Sequence, residues 1–181
     1  MKSLPNILTL SRILVIPALI VAFNLPQPLG NWLAFTIFVL AGVTDYFDGL
    51  LARTYQATSR LGQFLDPIAD KLMVAAVILL LTAAGVIAGI HVLAALVILM
   101  REILVSGLRE FLSTVKVPVP VTELAKWKTA IQMIALGALL IGPGAPEWLP
   151  ALIVGKTLLW LAALLTLYTG YDYLRAGLRH F

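Results

Sequence analysis

Apolar residues run through this chain in blocks of about twenty, separated by short breaks that are polar or rich in proline and glycine. The blocks are Leu4–Asn24, Trp32 to about Leu51, Gln63 to about Ala84, His91–Leu112, Glu123–Ile141 and Ala151–Arg175. An α-helix rises about 1.5 Å per residue, so each block is long enough to carry a helix through the hydrocarbon of a bilayer. The pattern therefore predicts an all-α integral membrane protein with six transmembrane helices. Pro5 suits an early helical position, and Pro17 predicts a kink in the first span. The stretch Ala52–Gly62, with Arg53 and Arg60, reads as a polar loop between the second and third spans.

Composition agrees with the pattern. The 181 residues are 61% hydrophobic and 12% charged, with a mean hydropathy of +0.99; soluble domains run at about 45–50% apolar and about 25% charged. No cysteine is present, which excludes disulfides, thiolate metal sites and thiol nucleophiles. No repeat or low-complexity linker divides the chain, so residues 1–181 read as a single membrane domain. The opening MKSLPNILTLSRILVIP has an apolar run but no small-residue cleavage pattern after it, and reads as a retained element. In a six-span arrangement Lys2, Arg12, Arg53, Arg60, Arg109, Lys116, Lys126, Lys128, Arg175 and Arg179 fall on one side. The loops near Pro26, Gly85 and Pro146 carry no Lys or Arg. Basic residues stay on the cytoplasmic side, so both termini are expected there, in a multi-pass protein of the cell membrane. Lys156 is the one charge this pattern leaves unexplained; snorkelling to the far interface is its plainest reading.

Four of the five aspartates lie within 26 residues, between Asp45 and Asp70. A charged side chain at membrane depth costs roughly 2.5–3.5 kcal/mol on insertion scales, so four carboxylates together call for a cation. Asp45 and Asp48 are spaced i, i+3 and Asp66 and Asp70 i, i+4, which puts each pair on one face of its helix. Brought together, the two faces make an oxygen-lined pocket at the cytoplasmic side for hard divalent ions, Mg²⁺ most naturally or Mn²⁺.

Written out, the run is D-x2-D-G-x2-A-R-x8-G-x3-D-x3-D, from Asp45 through Asp48, Gly49, Ala52, Arg53, Gly62 and Asp66 to Asp70. It resembles the signature of the CDP-alcohol phosphotransferases, membrane enzymes that join an alcohol to a phosphatidyl or related group from a CDP-linked donor. Such a transfer breaks a diphosphate, and two metal ions about 3.5–4 Å apart stabilise both the attacking and the leaving oxygens. On this resemblance Asp45, Asp48 and Asp66 are metal ligands, and Asp70 completes the site and acts as general base. Gly49, Ala52 and Gly62 lack bulk, which suits contact with the CDP moiety or plain helix packing. Arg53 is placed to pair with the diphosphate or to balance the carboxylates. Asn6, Thr9 and Arg12 form one polar stripe on the first helix, either as further donor contacts or as an interfacial anchor.

Within that family the segments LPNILTLSR, FLDPIADK, REILVSGLRE (Arg101–Glu110) and KWKTAIQM (Lys126–Met133) look like the phosphatidylglycerophosphate synthases. The resemblance implies CDP-diacylglycerol as donor, glycerol 3-phosphate as acceptor, CMP as leaving group, the membrane lipid as milieu and a homodimer. A dianionic acceptor needs fixed cations, and Arg109, Lys126 and Lys128 lie on the expected side; the positive-inside bias alone would also place them there. Arg101 and Glu102, deeper in the fourth span, are expected to form an internal ion pair. Phosphatidylserine, inositol-phosphate and cardiolipin synthases share the signature and remain alternatives. An intramembrane prenyltransferase would carry its aspartates in two segments on distant helices. A cation transporter would show an inverted repeat and broken helices at mid-membrane.

Overall fold

In the computed structural model the six blocks are six α-helices: α1 (Leu4–Phe23), α2 (Leu29–Tyr55), α3 (Arg60–Ala83), α4 (His91–Thr114), α5 (Glu123–Ile141) and α6 (Ala151–Leu178). The structure describes residues 4–55, 60–114 and 123–178, and within them the side chains of residues 13–44, 68–69, 71–112, 124 and 126–171. A 3-10 turn, Gly142–Gly144, precedes α6, and the described residues contain no strand.

The helices overrun the apolar blocks. α2 continues to Tyr55 and α3 begins at Arg60, so Ala52, Arg53 and Gly62 lie on helices rather than in a loop. α4 and α6 likewise extend to Thr114 and Leu178. Hydropathy marks where a chain leaves apolar surroundings, whereas backbone hydrogen bonding carries a helix on into polar ones. α1 is continuous through Pro17. Between α3 and α4 the chain reverses through Gly85 and Gly89, whose φ values of 73° and 57° lie in the left-handed region that glycine enters without a steric penalty.

α5 and α6 form the most extensive helix pair. α6 also packs on α4, α1 on both α2 and α3, and α5 reaches across to α2 and α3. The buried positions recur at helical spacing: Ala34, Phe38 and Ala41 on α2; Met73, Val77 and Leu81 on α3; Leu136, Leu139 and Leu140 on α5. Ala94, Ala95, Ala135, Ala162 and Ala163 are buried too, and such small residues let helix backbones approach closely. Two long-range hydrogen bonds tie the end remote from the aspartates. Buried Asn31 Nδ2 donates to the Leu140 carbonyl at 2.9 Å, and Trp160 Nε1 donates to His91 Nδ1 at 3.1 Å.

Much of the described outer surface is apolar. α4 exposes Leu93, Leu96, Met100, Ile103 and Leu104, and α6 exposes Ile153, Leu161, Leu164 and Leu167. Over His91–Leu112 and Ala151–Tyr171 these two helices are long and apolar enough to cross a membrane, yet only 22% and 33% of those windows is buried in the bundle. Apolar surface on that scale suits lipid and not water.

Candidate active site

Asp45 and Asp48 stand one turn apart on α2, and Asp66 and Asp70 one turn apart on α3. The two helices are joined by residues 56–59, so the four aspartates share one end of the bundle. Their depths match as well. Asp48 precedes the end of α2 by seven residues and Asp66 follows the start of α3 by six, about 10 Å of helix in each case; Asp45 and Asp70 are each ten residues in, about 15 Å. Aspartates at these four helix positions would offer only oxygen donors, the kind hard divalent cations take.

α1 leads into α2 through residues 24–28 and packs along it, so the first half of α1, with Asn6, Thr9 and Arg12, starts from the aspartate pole. The side chains of Asn6, Thr9, Arg12, Asp45, Asp48, Ala52, Arg53, Asp66 and Asp70 lie outside the described residues, as do the surroundings of Gly49 and Gly62. Among the described side chains no three metal-ligating groups converge.

The cations expected to meet an acceptor phosphate are better defined, and they differ from one another. Arg109, toward the end of α4, and Lys126, in the first turn of α5, are exposed. Lys128 is only 2% exposed, and its Nζ donates to Glu102 Oε1 on α4. Arg101 Nη1 lies 3.9 Å from the same oxygen, and Arg101 Nη2 donates to Thr169 Oγ1 of α6 at 3.1 Å. The expected Arg101–Glu102 pair is thus a loose contact, and Lys128 is the close partner of Glu102. Adjacent residues on a helix project about 100° apart, which leaves the carboxylate facing α5 and the guanidinium facing α6. α3, which carries Asp70 and Lys71, packs on both α4 and α5. The Lys128–Glu102 pair thus joins two helices, α4 and α5, on which α3 also packs.

Glu102's link to Lys128 was not legible from spacing, because it joins residues 26 apart on different helices. A partial signal existed: Lys128 and Gln132 stand at i, i+4 on one face of α5, and both are buried. At the opposite pole an open groove of about 530 Å³ is lined by Gln27, Pro28, Trp32 and Pro143–Pro146. It carries no charged side chain and does not suit a nucleotide or a phosphate. Lys156, half-buried on α6, also lies toward that pole.

Comparison with known proteins gives a consistent answer. The family model described as CDP-alcohol phosphatidyltransferase matches residues 2–168. A protein of Rickettsia felis named CDP-diacylglycerol–glycerol-3-phosphate 3-phosphatidyltransferase is 47% identical over 99% of this chain and 98% of its own length. Proteins with the same name from Cereibacter sphaeroides and Haemophilus influenzae are 39% and 38% identical, each over 97% of this chain and over 96% and 93% of their own lengths.

Proposed function

Because the chain belongs to the CDP-alcohol phosphatidyltransferase family, we propose that it transfers a phosphatidyl group from CDP-diacylglycerol to glycerol 3-phosphate. The products are phosphatidylglycerophosphate and CMP, which makes the protein an enzyme of phospholipid biosynthesis. The observation that carries this reading is the near full-length likeness to relatives named for that reaction, with the aspartate signature unbroken from Asp45 to Asp70.

The chemistry follows from the residues. Asp45, Asp48 and Asp66, with Asp70, would hold Mg²⁺ or Mn²⁺, which when bound would supply positive charge to the diphosphate and the departing CMP. Asp70 accepts the proton of the attacking hydroxyl; as the new O–P bond forms, the phosphoanhydride bond to CMP breaks and its electrons leave with CMP. Gly49, Ala52 and Gly62 leave room at the helix surfaces for the donor nucleotide, and Arg53 carries a charge opposite to its diphosphate. Asn6, Thr9 and Arg12 complete the donor side from α1. Arg109, Lys126 and Lys128 supply the cations for the acceptor's phosphate.

All six helices span the membrane, with both termini and the aspartates on the cytoplasmic face; the placement of the basic residues supports this orientation. The acyl chains of the donor stay in the bilayer while its head group reaches the aspartates, and the soluble acceptor arrives from the cytoplasm. The protein works as a homodimer in this reading.

The test is CMP release by purified protein from CDP-diacylglycerol, with glycerol 3-phosphate, serine, inositol or inositol phosphate offered separately. Stimulation by glycerol 3-phosphate alone is expected. Stimulation by a different alcohol would keep the aspartate chemistry and discard the acceptor. No release with any of them would discard both.

A further inference from the structure

The Lys128–Glu102 pair needs a reason beyond packing. Moving two charges out of water is costly, and replacing a buried pair with well-packed apolar residues is often neutral or stabilising. A bundle built only for stability would place aliphatic residues at both positions. The two lysines of α5 sharpen the point. Lys126 is exposed and Lys128 is buried, and residues two apart project about 200° apart around a helix. Glu102 thus fixes one specific cation on the inner side of α5, between two helices on which α3, the carrier of Asp70, also packs.

An ammonium has three N–H donors. Glu102 takes one of them, so an ammonium held in this way still has donors to offer a phosphate oxygen. A buried ammonium without its counter-charge is driven toward the interface, where a long flexible lysine readily snorkels.

We propose that Glu102 is a positioning residue for the acceptor: it anchors the Lys128 ammonium inside the α4–α5–α6 junction, so that the phosphate of the incoming alcohol meets a fixed cation where α3, the carrier of Asp70, also packs. This rests on the phosphatidyl-transfer reading above and adds to it a residue that touches neither substrate. Glu102 acts through Lys128, and its loss raises the acceptor's KM while leaving the lipid donor's KM alone.

The experiment is steady-state kinetics of the full chain in mixed micelles with CDP-diacylglycerol and Mg²⁺, varying glycerol 3-phosphate and the donor in turn. Glu102→Gln is expected to raise the KM for glycerol 3-phosphate about tenfold or more, with the donor KM within about twofold of wild type. Glu102→Asp, which keeps the charge and shortens the reach, is expected to fall between the two. Lys128→Met raises the same KM, and the Glu102→Gln/Lys128→Met double variant is no worse than Lys128→Met alone, because the first residue acts through the second. Equal changes in both KM values, an unmoved acceptor KM, or additive effects in the double variant would overturn the proposal. Should Glu102→Gln not survive purification, Glu102→Asp decides alone: it must raise the acceptor KM severalfold without moving the donor KM. Wild-type turnover separates the two claims. If wild type does not use glycerol 3-phosphate, both readings fall; if it does and the variants leave the acceptor KM unmoved, only this one falls.

Discussion

Replacing Gly155 by alanine tests whether the seam that holds the basic face of α5 in place is as tight as it looks. A Cβ at Gly155 on α6 would lie 2.7 Å from Leu139 Cγ, 2.8 Å from Cδ2 and 3.1 Å from the Leu139 backbone nitrogen on α5. Carbon atoms pack best at about 3.5–4.0 Å, so the new methyl falls short by about 0.8 Å. Leu139 is 0% exposed, and the clash is with its branching carbon and main chain rather than a mobile tip. The helices must therefore move apart. Overpacking of this kind costs about 1–3 kcal/mol. Alanine's better helix propensity returns up to about 1 kcal/mol. With the full return the net is a loss of up to about 2 kcal/mol, a fall in Tm of up to roughly 8 °C for a chain of this size.

Trimming Leu139 to alanine alone should cost about 2–5 kcal/mol through the cavity it leaves. The two changes together should cost less than their sum by about 1 kcal/mol or more, since each relieves the other. Thermal unfolding of the four proteins in one detergent, followed by tryptophan fluorescence, measures the cycle. A Tm raised by Gly155→Ala, or strictly additive losses, would refute the reasoning.

Other outcomes follow from the same structure. Asp70→Asn is expected to lower CMP release by about 10²-fold or more, the range for loss of a general base, with unchanged unfolding temperature; a near-normal rate would withdraw the general-base role. EDTA should abolish turnover and excess Mg²⁺ restore it; activity that survives chelation would remove the metal from the mechanism. Thr169→Val deletes the hydroxyl that accepts from Arg101 Nη2 and should lower stability by about 1.5–3 kcal/mol, the usual worth of a hydrogen bond to a charged group; unfolding in detergent checks it, and an unchanged Tm would show the bond to be dispensable. The chain has no cysteine, so Glu147→Cys and Glu110→Cys, both exposed positions, report topology cleanly. A membrane-impermeant maleimide should label the first from outside intact cells and the second only after lysis; the reverse pattern would invert the proposed orientation.

Much of this architecture was legible because a bilayer-length apolar block is a strong constraint: six blocks gave six helices in the expected order. Helix ends were less legible. Ala52–Tyr55 and Arg60–Gly62 are polar enough to read as loop, yet they hold good helix formers and extend helices already nucleated in the apolar spans. The aspartate signature was readable because its spacing is local and one-dimensional. The burial of Lys128 was not, since a basic residue near a membrane face satisfies the positive-inside pattern whether it points outward, as Lys126 does, or inward onto Glu102. Asn31 was silent for a similar reason: its partner, the Leu140 carbonyl, lies 109 residues away.

The central claim is that the four-aspartate end of this bundle joins a phosphatidyl group to glycerol 3-phosphate. Its most direct test is the lipid product itself, made by purified wild-type protein from CDP-diacylglycerol and carbon-13-labelled glycerol 3-phosphate with Mg²⁺ and identified by mass spectrometry. The account predicts labelled phosphatidylglycerophosphate formed in step with CMP, one for one, and none of either from Asp70→Asn. CMP accompanied by phosphatidic acid and no labelled lipid would show that water is the acceptor and would contradict it.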